Sequence, residues 1–181
     1  MPAPPIIIYL WGFMGSGKSF LGKQLAETLG ITFVDLDARI ESQQASSIAA
    51  IFKEKGEGTF REFEQQALHA CTEELKQMSV KGNQPTPYAG VISCGGGTPC
   101  FYDNVEYMNE QGRTIWLNPP VEVLVERLEH ERSHRPVLAG VHSSELKQFV
   151  LDKLQQRISC YERAAHIISP ARNLQELLNC L

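Results

Sequence analysis

Short, continuous apolar runs alternate along this chain with longer stretches in which apolar residues return every three or four positions. IIIYL (residues 6–10) is β-branched and apolar throughout, the pattern of a strand covered on both faces in a parallel sheet. Residues 18–29 carry Leu21, Leu25 and Leu29 on one helical face, and Gly30 follows as a stop. ITFVDL (31–36) predicts a second strand, and 38–55 a helix that breaks near Ser46. Thr59 and Glu62 match the T-x-x-E capping box, which predicts a helix from there to about residue 78. After a polar, Pro-containing loop over 80–88 come a strand at 90–94, a short helix at 102–111, a strand at 113–117 and a helix at 121–129. A charged stretch broken by Pro136 and Gly140 precedes a long helix over 144–164, a brief strand at 166–169 and a closing helix over 174–181. Strands alternating with helices predict an α/β fold with a mainly parallel sheet.

Composition narrows the class. A chain of 181 residues suits one domain rather than two, so 1–181 is read as a single unit. A net charge of −4 argues against the basic face of a nucleic-acid-binding protein. Five cysteines, with no C-x-x-C spacing, argue against a disulfide framework and for a reducing, cytoplasmic setting. No signal-peptide pattern and no apolar stretch of membrane-spanning length is present. The expected partners are therefore small molecules, without nucleic acid or membrane, and the expected state is a monomer.

The first chemistry lies directly behind the first strand. Gly12, Gly17, Lys18 and Ser19 in GFMGSGKS fit G-x-x-x-x-G-K-[ST], the P-loop. Its glycines let backbone N–H groups close on phosphate oxygens, and the helix opening near Lys18 adds its positive N-terminal end. Lys18 is expected to reach the β- and γ-phosphates of ATP and the Ser19 hydroxyl to ligate Mg²⁺. Gly15, Ser16 and Phe20, in or next to the loop, complete the expected ATP contacts. A glycine-rich turn ending by chance in GKS is the bland alternative, but the strand before it and the helix after it are what the mechanism requires.

Three further cues point to the phosphate acceptor. Asp35 and Asp37 fall at the end of the second strand, where side chains face the crevice above a parallel sheet. Asp35 suits Mg²⁺ through water, and Asp37 suits a base for an acceptor hydroxyl; either could instead cap the next helix. Arg61 falls in the first turn of a helix, unfavourable for a cation, which suggests an anionic ligand with Glu64 holding the guanidinium; a surface salt bridge is the alternative. Gly95, Gly96 and Gly97 follow the third strand, more glycines than a turn needs, and suggest close approach of a ligand.

Together GFMGSGKS, DLD, GTFREFE, CGGG, RPVLAG and RISCYERAA resemble the shikimate kinase family, in order and over nearly the whole chain. The resemblance implies a three-layer α/β/α P-loop fold with a five-stranded parallel sheet, an acceptor-binding segment near 36–64 and a mobile lid near 129–142. It implies transfer of the ATP γ-phosphate to the 3-hydroxyl of shikimate, a cyclohexene carboxylate, with Mg²⁺. By position, Asp37 would bind substrate hydroxyls and act as base, Arg61 and Arg157 would bind the carboxylate, and Gly95, Gly96 and Gly97 would give backbone contacts. Arg135 in the lid would meet phosphate, and Arg127 would stack on adenine, with Arg132 as competitor. Ser159 and Cys160 depart from the Pro and Leu that the family often carries before the tyrosine.

HERSH (130–134) also fits the H-E-x-x-H zinc-protease pattern. Its flanks are charged and Pro136 ends any helix there, so a solvated lid is the better reading. The rival functions are a gluconate-kinase-like enzyme for another small metabolite, and an ATP-binding regulator that transfers nothing.

Overall fold

The computed structural model describes residues 5–81, 87–131, 138, 140–168 and 173–181. Strand β1 (Ile6–Trp11) lies at the centre of the sheet. It pairs in parallel with β3 (Tyr88–Ser93), Tyr9 opposite Ile92, and with β4 (Gly112–Leu117), Tyr9 opposite Thr114. Strand β2 (Thr32–Asp35) adds to the outer side of β3, and β5 (His166–Ile168) to that of β4. The order is β2-β3-β1-β4-β5, parallel throughout.

The continuous apolar character of β1 follows from its place. Ile7, Tyr9 and Trp11 pack on one face against α3 (Ile48–Lys81) and α4 (Asn104–Gln111). Ile8 and Leu10 pack on the other against α1 (Lys18–Leu29) and α7 (Leu174–Leu178). Alternate side chains of a strand point to opposite faces, so a strand covered twice needs an apolar residue at every position. The three layers are those expected. Helix α1 sits close to the sheet because Gly22 has no side chain: a Cβ there would meet Phe33 at 2.7 Å and Leu10 at 3.0 Å.

A third cluster packs Phe13 against Leu124 and Leu128 of α5 (Val121–His130) and Leu146 and Val150 of α6 (Leu146–Tyr161). Leu138 joins it at 1% exposure. The charged stretch around residue 135 therefore carries an apolar anchor that its overall polarity concealed.

Several boundaries shift. Helix α2 (Leu36–Gln44) begins directly at the end of β2, so Asp37 stands in a helical first turn rather than at a strand end. Ala45 and the residues after it break the chain as expected near Ser46. The break inside α3 falls at Gly56 (φ 82°, ψ 169°), a conformation open to glycine alone. Thr59 and Arg61 consequently lie inside the second part of α3, and the T-x-x-E pair does not open it. Helix α3 runs on through residues expected as loop, to Lys81; residues 82–86 lie outside the described part. The long helix expected over 144–164 is a 3₁₀ turn, Ser143–Glu145, followed by α6, which stops at Tyr161. Among the described residues no helix is long and apolar enough to cross a membrane.

Candidate active site

Gly12, Gly15 and Gly17 in the loop between β1 and α1 have φ of 145°, 78° and 95°, which side chains rarely tolerate. A Cβ on Gly12 would also meet the Leu117 carbonyl oxygen at 2.5 Å. Helix α1 starts with no side-chain cap and no acidic residue in its first turn. Its first N–H groups are thus left for an anion. Lys18 folds back over the loop, its Nζ donating to the carbonyls of Gly12 and Phe13 at 3.0 Å each. Ser16 is buried with its hydroxyl unpartnered, and Phe20 stands 67% exposed on the rim. Arg127 of α5 donates to the Gly15 carbonyl at 2.8 Å. Gly15, Ser16, Gly17, Lys18, Phe20 and Arg127 line a cleft of about 580 Å³ together with Asp35, Asp37, Ser93, Gly96 and Glu131.

Across the cleft, the Ser19 hydroxyl donates to Asp35 Oδ2 at 2.6 Å. The other Asp35 oxygen accepts from the Ala38 N–H at 3.2 Å and caps α2. Capping and facing the P-loop, posed as alternatives by the sequence, are both done by this one side chain. A hydroxyl and a carboxylate oxygen side by side are hard donors that fit Mg²⁺, which commonly takes one or two carboxylates and completes its shell with phosphate and water.

Asp37 is the perturbed carboxylate of the site. Burial, with Glu64 and Asp35 nearby, pushes it up to about 6, while Lys18 pulls the other way. A carboxyl in that range exchanges its proton near neutral pH.

The three glycines after β3 each lie bare against a different charged group. A Cβ on Gly95 would meet Glu64 Oε1 at 2.7 Å and Asp37 Oδ1 at 2.9 Å. One on Gly96 would lie 3.1 Å from Arg157 Nη1, and one on Gly97 would lie 2.6 Å from Arg61 Nη1. The run therefore lets two carboxyl groups, from α2 and α3, and two guanidinium groups, from α6 and α3, converge on a single stretch of backbone.

Arg61 is only 7% exposed and is clamped. Its Nη1 donates to Glu64 Oε2 at 2.8 Å, its Nη2 to Glu57 Oε1 at 2.9 Å, and its Cζ lies 4.0 Å from the Phe101 ring centroid. Glu64, 1% exposed, also accepts from the Thr98 hydroxyl at 2.5 Å. The expected hold of Glu64 on Arg61 is present, but the reason given for it changes. Arg61 stands in the second turn after the Gly56 break, among acids at i−4 and i+3, and is not opposed by the helix dipole. Arg157 reaches Gly96 from α6, with its Cζ 5.7 Å from the Phe13 ring.

Sequence reasoning missed Thr98, Phe101 and Tyr161. The Tyr161 hydroxyl donates to the Gly96 carbonyl, and its ring is fully buried beside Trp116. Their adjacency to the glycine run and to Arg157 was the available signal, but a Thr, a Phe or a Tyr carries no charge to single it out. Arg132 and Arg135 lie outside the described residues. Helix α5 ends at His130, so it does not carry the helix that a zinc-binding H-E-x-x-H needs, and His134 lies outside the described residues. Among the described residues no group of three or more His, Cys, Asp or Glu side chains is placed to hold a metal.

The family model described as shikimate kinase matches residues 14–179. A shikimate kinase of Bacteroides thetaiotaomicron is 38% identical, over 94% of this chain and 97% of its own. The crystal structure of shikimate kinase from Bacteroides thetaiotaomicron superposes with a TM-score of 0.82 at 36% identity, covering 97% of this chain and 93% of that one. Shikimate kinase from Acinetobacter baumannii, solved in complex with shikimate, gives a TM-score of 0.80 at 30% identity, covering 97% and 92%.

Proposed function

The chain belongs to the shikimate kinase family, and from that premise we propose that it transfers the γ-phosphate of ATP to the 3-hydroxyl of shikimate. The observation that carries this reading is the bare glycine run beside the P-loop, against which Asp37, Arg157 and Arg61 converge. Two arginines suit a carboxylate because each planar fork can donate paired hydrogen bonds. A carboxyl near pH 6 beside them suits an acceptor hydroxyl.

In this account the P-loop N–H groups and Lys18 hold the ATP phosphates, with Gly15, Ser16 and Phe20 along the nucleotide side. Arg127 braces the loop at Gly15 and stacks on adenine, and Arg135 meets the transferring phosphate. Ser19 and Asp35 hold Mg²⁺, Asp35 through water. When bound, the ion neutralises charge on the β- and γ-phosphate oxygens. Arg61 and Arg157 fix the acceptor carboxylate, which turns the ring so that its 3-hydroxyl meets Asp37. Asp37 takes the hydroxyl proton as the oxygen attacks phosphorus. The acceptor segment spans about 36–64, within a single catalytic domain that acts as a cytoplasmic monomer.

An ADP-release assay with shikimate, gluconate, nucleoside monophosphates or no acceptor tests the reading. Release should require shikimate; equal release without acceptor would leave only an ATPase, and faster release with gluconate would favour the rival enzyme.

A further inference from the structure

Arg61 is enclosed on most sides by fixed partners. The Phe101 ring covers one face, its centroid 4.0 Å from Cζ. The end of the fork abuts Gly97, whose missing Cβ would lie 2.6 and 2.7 Å from Nη1 and Nη2. Glu64, which holds Nη1, is buried and is itself tied to the Thr98 hydroxyl. The remaining edge differs. Nε and Nη2 donate to Glu57 Oε1 at 3.2 and 2.9 Å, and the Glu57 side chain is 56% exposed.

Two features make Glu57 a replaceable partner. One of its oxygens serves both donors, a shared contact. A well-placed carboxylate instead gives each nitrogen its own oxygen, in two parallel bonds. Glu57 also follows the Gly56 break and so opens the second part of α3. An acidic side chain turned to solvent there stays favoured by the helix N-terminus. Release from Arg61 therefore costs little, in keeping with the small worth of exposed ion pairs.

We propose that Glu57 is a built-in stand-in for the acceptor carboxylate. It occupies the Nε–Nη2 edge of Arg61 in the free enzyme, and the acceptor displaces it and takes the same edge with two oxygens. The exchange keeps the buried donors of Arg61 satisfied before and after binding, and an unsatisfied buried donor is costly. It also sets a threshold for recognition. A ligand gains Arg61 only by offering a better anion than Glu57, so an uncharged ring of the same size gains nothing at this edge. The inference deepens the reading of Arg61 as a carboxylate ligand and rests on it.

The experiment titrates shikimate calorimetrically into the full chain and two variants. Glu57→Gln keeps the shape and removes the anion, and should lower the shikimate dissociation constant about two- to fivefold. Glu57→Asp keeps the charge but falls one methylene short of a guanidinium that Glu64, Gly97 and Phe101 hold in place. It should lower the constant as well, and ATP should bind both variants as it binds the wild type. In crystals of the wild-type chain grown with shikimate, Glu57 should have left Nε and Nη2 while Glu64 stays on Nη1. A raised or unchanged constant in Glu57→Gln would overturn the proposal, the first by making Glu57 a support for Arg61. A gain in Glu57→Gln with none in Glu57→Asp would reduce its part to general charge repulsion and overturn it too, as would Glu57 still seated on both nitrogens beside bound shikimate. Arg61→Ala separates the two readings. If it weakens shikimate while Glu57→Gln does not tighten it, the stand-in alone is wrong; if it binds shikimate as the wild type does, the carboxylate reading itself has failed.

Discussion

At the scale of single residues, Asp37 concentrates the account. Its carboxyl rises from 3.8 to about 6 through burial and the neighbouring Glu64 and Asp35. A raised carboxyl pKa means the folded state holds a proton that the unfolded state releases between about pH 4 and 6. Its contribution to stability is therefore greatest below pH 4 and lost as pH rises through 6. Asp37→Asn should accordingly stabilise the free enzyme at pH 7 by about 2–3 kcal/mol and change little at pH 4, read by thermal unfolding. The same variant should bind ATP normally and lose about 10²–10⁴ in turnover. In the wild type, kcat/KM for the acceptor should rise with pH about a midpoint near 6. Near-normal turnover in the variant would remove Asp37 as base. At Arg61, alanine should weaken the acceptor and also strand Glu64, a buried carboxylate, at a cost of about 3–5 kcal/mol in stability. Glu64→Gln in the same chain should restore stability without restoring the acceptor; recovery of both would make Arg61 purely structural. The P-loop residues, Asp35, Asp37 and Arg61 were legible in the sequence because charge and glycine spacing mark them. Thr98 and Tyr161 were not, because a buried hydroxyl acquires meaning only from the carboxylate or carbonyl folded against it.

At the scale of elements, the glycine run and the break in α3 make separate claims. Gly97 has φ −100°, ordinary for any residue, so its bareness is not a backbone requirement. What excludes a side chain is the Arg61 guanidinium at 2.6 Å. Gly97→Ala should therefore raise the acceptor KM roughly tenfold or more and lower the unfolding temperature, because the clamped guanidinium must shift, while leaving the ATP KM close to wild type. A Gly97→Ala enzyme that lost ATP affinity instead would move the run to the nucleotide side. Gly56 is the opposite case. Its φ of 82° is strained for other residues and nothing lies within 4 Å of an added Cβ. Gly56→Ala should cost about 1–2 kcal/mol by backbone strain alone, seen as a lower unfolding temperature. The capping-box pattern at Thr59 drew the expected helix start three residues too late. Local side-chain signals compete there with a glycine whose unusual backbone angles a sequence does not announce. Leu138 was hidden for a related reason: a three-residue apolar run, 137–139, in a charged stretch is too short to show periodicity, and only Phe13, Leu124 and Leu146 around Leu138 reveal an anchor.

At the scale of the whole molecule, the site follows from the sheet. Because every strand is parallel, the segments leaving β1, β2 and β3 emerge at the same edge, bringing together the P-loop, Asp35 with Asp37, and the glycine run. The alternation of apolar runs with helical periods was enough to read that architecture, since a twice-covered strand writes its burial into every residue. The convergence of α6 on the same edge was not readable from periodicity, because contacts between Arg157 and Gly96 span sixty residues of chain. The proposed Mg²⁺ site belongs to this assembled edge as well. Chelation should abolish transfer, added Mg²⁺ should restore it, and Ser19→Ala should raise the Mg²⁺ concentration required; transfer unaffected by chelator would remove Ser19 and Asp35 from that role. The central claim is that phosphate passes from ATP to one hydroxyl of a carboxylate-anchored ring. Proton–phosphorus correlation NMR of the product formed from ATP and shikimate reads it directly. The account predicts a single phosphate ester coupled to the proton on carbon 3, formed in step with ADP. Free phosphate alone, or an ester at another hydroxyl, would contradict it.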